Sequence, residues 1–211
     1  YEYAPGQDYQ WMAAMSMAPS GRLDAVWFDT RDDPNHRISR LYYAYSWDGG
    51  PSWSRNRAVG DPFDPSLGYP VQRKIGDYFQ CQSDNGSASV VHPATFNGEQ
   101  DIYYQRLYPM VLETSPLVAG QPARFDVDEA RPLEQTWVVY SLDGPGYTNI
   151  GLLDVPVNLA QPRLGVGPRR TDASGQVSWT VTMPPQSQGR RLWFQAIQPA
   201  NASNVVDAVV Q

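Results

Sequence analysis

The stretch Ser46-Trp-Asp-Gly-Gly-Pro-Ser-Trp53 decides the fold of the first half of the chain. It places hydroxyls at Ser46 and Ser52 and a carboxylate at Asp48 around a pair of glycines. Short polar side chains of this kind accept hydrogen bonds from backbone N–H groups in tight turns, and glycine permits a positive φ. The stretch therefore predicts a tight turn, and we expect the closing Trp53 to insert into the apolar layer beneath it.

Strand-like segments lie on both sides of this turn. Before it come residues 11–19, a turn at 20–22, residues 23–31 and residues 38–46, and after it come residues 53–59. Four short segments rich in aromatic and aliphatic residues, separated by turn residues, predict one antiparallel four-stranded blade. A second group follows at similar spacing, with expected strands at 78–82, 88–92 and 101–107.

Residues 46–53 fit the Asp-box pattern S-x-D-x-G-x-[ST]-W and resemble the bacterial neuraminidase repeat of sialidase-like β-propellers. The segments VWFDTRDDPN at 26–35 and IGDY at 75–78 are similar to stretches of secreted members of that superfamily. The resemblance covers residues 9–108. It implies a structural Asp box made by Ser46, Asp48, Gly50, Ser52 and Trp53, which in this family usually lies away from the ligand face.

The chain is thus expected to be all-β, with an incomplete portion of a six-bladed-type propeller over residues 1–112 and a β-sandwich over 113–211. Seven short segments after the boundary predict the sandwich: 123–127, 136–142, 151–159, 163–171, 176–183, 191–198 and 204–210. This tail is similar to small C-terminal β-domains of secreted bacterial proteins. The resemblances together imply a secreted or cell-surface bacterial protein.

About two blades cannot close a propeller, which needs roughly four to eight. Because natural β-proteins avoid leaving sheet edges and apolar blade faces uncovered, we expect the remaining blades to be supplied by a longer precursor or by a partner chain. A glycan is the ligand that the resemblance implies.

Composition excludes some partners. The 16 basic residues are outnumbered by 22 acidic ones, for a net charge of −6, and they form no basic patch in the sequence. A nucleic-acid partner is therefore not expected. No apolar run approaches the roughly 18 to 20 residues of a membrane-spanning helix.

A cluster of carboxylates follows the second expected strand. Asp29, Asp32 and Asp33, with Asp77 from the next blade, supply the hard oxygen ligands that calcium prefers, and calcium is the only cofactor that the sequence suggests. The alternative is structural: Arg31 pairs with one aspartate, while Asp32 and Asp33 begin the turn before Pro34. Arg31 and Tyr78 are the candidate ligand contacts.

Two functional hypotheses follow. The first is a non-catalytic part of an extracellular propeller protein, structural or glycan-binding. The alternative is part of a sialidase-type exo-glycosidase whose catalytic residues lie mainly on the missing blades. Where the first blade has Asp29-Thr-Arg31, the second has Ala94-Thr-Phe96, which removes a carboxylate and a guanidinium. We therefore expect no complete catalytic site in this chain.

Overall fold

A computed structural model describes residues 8–68, 75–76 and 78–211 of the chain, and this part is all-β. No helix in these ranges has the length and apolarity needed to cross a membrane. The strands are β1 (Gln10–Met17), β2 (Leu23–Asp29), β3 (Arg40–Ser46), β4 (Arg57–Ala58), β5 (Gln80–Ser83), β6 (Ala88–Ala94), β7 (Asp101–Leu107), β8 (Val111–Thr114), β9 (Pro122–Asp128), β10 (Gln135–Ser141), β11 (Pro145–Ile150), β12 (Val155–Leu159), β13 (Arg163–Arg170), β14 (Val177–Thr182), β15 (Arg191–Gln198) and β16 (Asn201–Val209).

The chain divides into two compact units. The first contains the described residues up to Asp84 together with Ala88–Leu107, and the second contains Asn85–Ser87 and Tyr108–Gln211. The boundary expected after residue 112 falls inside β8.

In the first unit, β1 to β4 form an antiparallel sheet in chain order, as the sequence predicted. The fourth strand is much shorter than expected, because β4 contains only Arg57–Ala58. β1 is irregular between Trp11 and Ala14, where Met12 has a positive φ of 49°. An extra residue of this kind is a β-bulge, which bends the edge strand.

The second group of strands forms a separate antiparallel sheet in the order β5-β6-β7. It shares one apolar core with the first sheet. The buried core side chains are Val26, Phe28, Leu41, Tyr43, Tyr45, Phe63, Ile75, Ala88, Val90, Ala94 and Leu107.

The tyrosines of β3 depart from simple strand alternation. Strict alternation in LYYAYSW would bury only half of the aromatic side chains. Tyr42, Tyr43 and Tyr45 are all buried, although they occupy both faces of the strand. Tyr42 pairs with Trp27 of β2, and the two rings stack on the face opposite the core, 6.0 Å apart.

The second unit contains a four-stranded sheet, β13-β10-β15-β16, and a three-stranded sheet, β14-β9-β8. One apolar cluster, which includes Phe125, Val138, Trp179 and Phe194, draws residues from both sheets. The hairpin β11-β12 contributes Val155, Val157 and Leu159 to a second cluster with residues of β10, β15 and β16.

Two sequence predictions for this unit were wrong in detail. The segment 151–159 is not one strand, because Gly151–Leu153 forms a 3-10 turn before β12. The strands β8 and β11 were not among the seven predicted strands. Six strands lie close to their expected positions: β9, β10, β13, β14, β15 and β16.

An ion pair lies inside the first unit. Arg22 and Asp24 are both fully buried. The Arg22 guanidinium donates to both Asp24 carboxylate oxygens at 3.0 to 3.1 Å, and the Tyr43 hydroxyl donates to Asp24 at 2.6 Å. Arg22 also donates to the carbonyl oxygen of Asp84 at 2.9 Å, so it links the start of β2 to the turn that follows β5.

These buried contacts shift the pKa values of Arg22 and Tyr43. Burial opposes the charged form of Arg22, but the attraction of Asp24 outweighs it, and the pKa of Arg22 lies above its ordinary value. Burial and the negative charge of Asp24 raise the pKa of Tyr43 well above its ordinary value. Arg22 is therefore a buried cation, with a neutral tyrosine nearby.

We expect Arg22→Met to destabilise the protein by about 3 to 5 kcal/mol, because it leaves the Asp24 carboxylate buried without a counter-charge. Replacing both partners, with Arg22→Met and Asp24→Leu, should cost less than Arg22→Met alone. Urea unfolding of the two single variants and the double variant measures this coupling. Additive costs would show that the two charges do not depend on each other.

Candidate functional site

The residues around the end of β2 form the most functionally suggestive polar cluster in the first unit. We call it the Asp29–Arg31 cluster, and it consists of Trp27, Asp29, Arg31, Asp32, Arg40 and Tyr42. Strand alternation places Trp27 and Asp29 on the face of β2 opposite the core, where they pair with Tyr42 and Arg40 of β3. The cluster thus depends on the register between these two strands.

Asp29 is the centre of the hydrogen bonds within the Asp29–Arg31 cluster. Its carboxylate accepts from the Arg31 guanidinium at 2.5 Å, from the Arg31 backbone N–H at 2.9 Å and from the Trp27 indole N–H at 2.9 Å. Burial opposes ionisation, but these donors outweigh it, and the pKa of Asp29 lies below its ordinary value. Asp29 is therefore a fixed anion that orients Arg31 and Trp27.

Arg31 combines a charge with an aromatic contact. Its guanidinium carbon lies 4.6 Å from the centre of the Tyr42 ring, within the range of a cation–π interaction. Burial, followed by the neighbouring Asp32, raises the pKa of Tyr42 to about 12. A third of the Arg31 side chain, 34%, is exposed. Since Asp29 does not use all five N–H donors of a guanidinium, Arg31 can also bind a ligand oxygen.

The neighbouring aspartates have structural roles. Asp32 accepts a hydrogen bond from Arg40 at 3.3 Å. Asp33 accepts backbone N–H groups of Asn35, Arg37 and Ile38 at 2.8 to 3.0 Å. These bonds lower the pKa of Asp33 below its ordinary value. The structural alternative expected Arg31 to pair with an aspartate, and Asp32 and Asp33 to begin the turn before Pro34. The pairing of Arg31 and the role of Asp33 agree with it, whereas Asp32 pairs with Arg40.

The calcium hypothesis gains no support from the part of the chain that the structure describes. There, no three His, Cys, Asp or Glu side chains are grouped to hold a metal ion. Asp77, the fourth candidate ligand, lies outside the described residues. Of the two candidate ligand contacts, Arg31 belongs to the Asp29–Arg31 cluster. Tyr78 is 83% exposed, and no hydrogen bond or ring contact joins it to the described residues of that cluster.

The stretch at residues 46–53 forms a closed hydrogen-bonded turn at the end of β3. Asp48 accepts from the Ser46 hydroxyl at 2.7 Å, from the Ser52 hydroxyl at 2.5 Å and from the Ser52 backbone N–H at 3.1 Å. The Ser46 hydroxyl accepts the Gly50 N–H at 2.9 Å. Gly49 and Gly50 have φ values of 76° and 112°, which explains the two glycines.

The expectation for Trp53 was wrong. Trp53 is 43% exposed and belongs to no core cluster. Trp47 takes the inward position instead: it packs partly buried against the core, with its ring 6.0 Å from Tyr45 and 5.4 Å from the Arg22 guanidinium.

The end of β6 corresponds to the end of β2, but it has apolar and aromatic side chains at the positions where the end of β2 has charged ones. Thr95 follows β6 as Thr30 follows β2, and both threonines are buried. Ala94 replaces the carboxylate of Asp29, and Phe96 packs edge-to-face on Phe63 and Tyr103. The second sheet therefore ends in an aromatic cluster and lacks the paired charges of the first.

Sequence analysis missed several residues that organise these sites. Arg22, Asp24 and Tyr43 were not singled out, although Arg-x-Asp at a strand start is visible in the sequence. Trp27 and Tyr42 were also missed as members of the Asp29–Arg31 cluster, because their contact requires the β2-β3 register.

A scan against protein-family models found no match to this chain. A search of curated proteins likewise found no similar sequence.

The hydrogen bonds to the Asp48 carboxylate predict a measurable response to acid. The Ser52 and Ser46 donors lower the pKa of Asp48 from 3.8 to about 2. Because the folded-state pKa lies below that of the unfolded chain, ionised Asp48 favours folding above about pH 4, and this contribution is lost as the pH falls toward 2. An NMR titration of the Asp48 carboxyl should give a pKa of about 2.

Ser52→Ala serves as the matched variant, because it removes the shortest of these hydrogen bonds. It should raise the pKa of Asp48 toward 3.8. An Asp48 that titrates near 3.8 in the unmodified protein would contradict the turn geometry.

Proposed function

We propose that this chain is a non-catalytic portion of an extracellular sialidase-like β-propeller protein, in which the first unit contributes blades and binds a glycan, and the second unit is a β-sandwich. The Asp-box turn carries the propeller proposal: its serines, aspartate and glycines make mutual hydrogen bonds directly after the third strand of a four-stranded antiparallel sheet. The turn lies between β3 and β4 of this sheet, and a propeller blade is likewise a four-stranded antiparallel sheet.

The outer faces of the two sheets support the expectation of further blades. Met15 and Met17 of β1 are 62% and 66% exposed. On the second sheet, Val91 and Tyr104 are cross-strand partners next to Ile102, and all three are exposed. Exposed apolar residues on adjacent strands mark surfaces that natural proteins usually cover. Further blades, on a longer precursor or a partner chain, would cover both faces.

The Asp29–Arg31 cluster supports glycan binding. It combines a half-buried indole, which suits the C–H face of a sugar ring, with a partly exposed guanidinium that can bind a hydroxyl or a carboxylate. Asp29 holds both groups in place through hydrogen bonds of 2.5 and 2.9 Å. Such a fixed arrangement reduces the ordering cost of binding.

Two observations favour a binding role over the exo-glycosidase alternative. At the position after Thr95 that corresponds to Arg31, the second sheet has Phe96, so it supplies no second arginine there for a substrate carboxylate. Sialidases use a tyrosine paired with a glutamate, and residues 1–107 contain only Glu2 and Glu99. The catalytic groups of such an enzyme would have to come from other blades.

Glycan binding is tested by saturation-transfer NMR of the full chain with 3′-sialyllactose and with lactose. Arg31→Gln should weaken binding of the sialylated sugar about tenfold, because a charge-assisted hydrogen bond is lost. Arg124→Gln is the matched control, since Arg124 also pairs with an aspartate two residues away, at 2.7 Å, but lies in the second unit. If neither sugar binds saturably, the glycan part of the proposal is wrong.

The same samples test the alternative. We expect no hydrolysis of a fluorogenic sialoside by the chain alone. Turnover that scales with protein concentration and disappears in Arg31→Gln would replace the binding role with a catalytic one.

The propeller proposal predicts that the native protein is larger than this chain or is bound to a partner chain. Intact-mass measurement of the protein from its source, with sequencing of copurifying chains, should find additional Asp boxes. A lone species of 23.6 kDa would contradict the proposal and identify the first unit as a self-contained β-domain.

A further inference from the structure

Two sheet edges in the second unit border an open groove. β13 is the edge of the four-stranded sheet, and β14 is the edge of the three-stranded sheet. Near one end, the Arg169 side chain reaches from β13 to the Ser178 carbonyl of β14 and lies over the Trp179 ring at 5.9 Å. Away from this bridge, a groove of about 480 Å³ lies between the two edge strands.

The floor of the groove is the apolar core of the unit. Phe125, Val138 and Phe194 line it and are buried in the main cluster. Val181 and Met183 line it from the β14 side. A space of this size with mainly apolar walls is typical of small-molecule sites.

The charged residues that line the groove are all basic. Arg163 and Arg190 line it, and both are exposed. Neither makes an ion pair within the described residues, whereas Arg22, Arg31, Arg124 and Arg191 each pair with an aspartate. Among the residues that the structure describes, no acidic one lines the groove, although the chain as a whole has a net charge of −6. The groove therefore joins an apolar interior to a cationic border.

We propose that this groove binds an amphipathic carboxylate with an unbranched alkyl chain, of the fatty-acid type. The alkyl chain lies on the aromatic and aliphatic floor, and the carboxylate binds the Arg163 and Arg190 guanidinium groups. Charge complementarity selects an anion, and the apolar walls select a hydrocarbon body.

An added peptide strand fits the β13 edge less well. Pro168 lacks a backbone N–H, and the pairing of β13 with β10 is interrupted twice, between Thr136 and Val138 and between Val138 and Val139. Proline and irregular register both disfavour further strand pairing at a sheet edge. A small-molecule occupant is therefore favoured over a peptide. This site lies wholly in the second unit and does not depend on the proposed glycan role.

The test uses the full chain, with decanoate as the probe and 1-decanol as its uncharged counterpart, followed by ¹H–¹⁵N NMR. We expect saturable shifts that centre on Val166 and Val181, and weaker binding of 1-decanol. Octanoate, which is two methylenes shorter, should bind at least about tenfold more weakly than decanoate, since each buried methylene is worth about fourfold.

Two kinds of variant separate the contributions. Arg163→Gln and Arg190→Gln should each weaken decanoate binding about tenfold and leave 1-decanol binding unchanged. Arg37→Gln, an exposed arginine of the first unit, is the control for charge and should change neither. Val181→Phe fills the groove and should abolish the binding of both probes, while thermal unfolding checks that this variant is folded.

The proposal is overturned if decanoate shows no saturable binding, or if its shifts centre outside the second unit. It is also overturned if Arg37→Gln weakens binding as much as Arg163→Gln and Arg190→Gln, because the effect would then reflect net charge alone.

Discussion

The buried pair of Arg22 and Asp24 is the interaction on which the first unit depends. A guanidinium and a carboxylate removed from water are costly unless each finds its partners within the protein. Here Asp24 receives the guanidinium and the Tyr43 hydroxyl, while Arg22 also reaches the Asp84 carbonyl. The pair therefore restricts three elements at once: the start of β2, the middle of β3 and the turn after β5.

The sheet formed by β1 to β4 also carries charged side chains on the face opposite the core, where they form the Asp29–Arg31 cluster. Asp29 lies five residues after Asp24 in the same strand, so alternation directs the two carboxylates to opposite faces. Asp24 is enclosed by the core, whereas Asp29 holds a guanidinium that remains partly exposed. One strand thus supplies both a structural ion pair and a cluster suited to ligand contact.

In the second unit, the edge strands of the two packed sheets, β13 and β14, are separated by a groove along part of their length. The Arg169 bridge closes one end of the gap between β13 and β14, and the core residues border the groove along the rest. Leu164 of β13 is 63% exposed beside this groove. Arg163 and Arg190, which make no ion pair with any residue that the structure describes, lie next to this apolar surface, and packing alone does not require that arrangement.

The sequence by itself determined the all-β character, most strand positions and the hydrogen-bonded turn at residues 46–53. These features depend on local patterns, namely strand alternation, glycine conformations and hydrogen bonds within a few residues, and such patterns are visible in the chain. The expected pairing of Arg31 with an aspartate also involved neighbours only two positions apart.

Only the tertiary structure decided the exchange of roles between Trp47 and Trp53, the Trp27–Tyr42 contact, the burial of Arg22 with Asp24 and the groove between β13 and β14. Each depends on strand register or on the packing of sheets whose residues lie far apart in the chain. Arg22 and Asp84, for example, are 62 positions apart. A local sequence pattern does not specify which distant group will contact a given side chain, because strand register and the packing of the sheets around the core determine that contact.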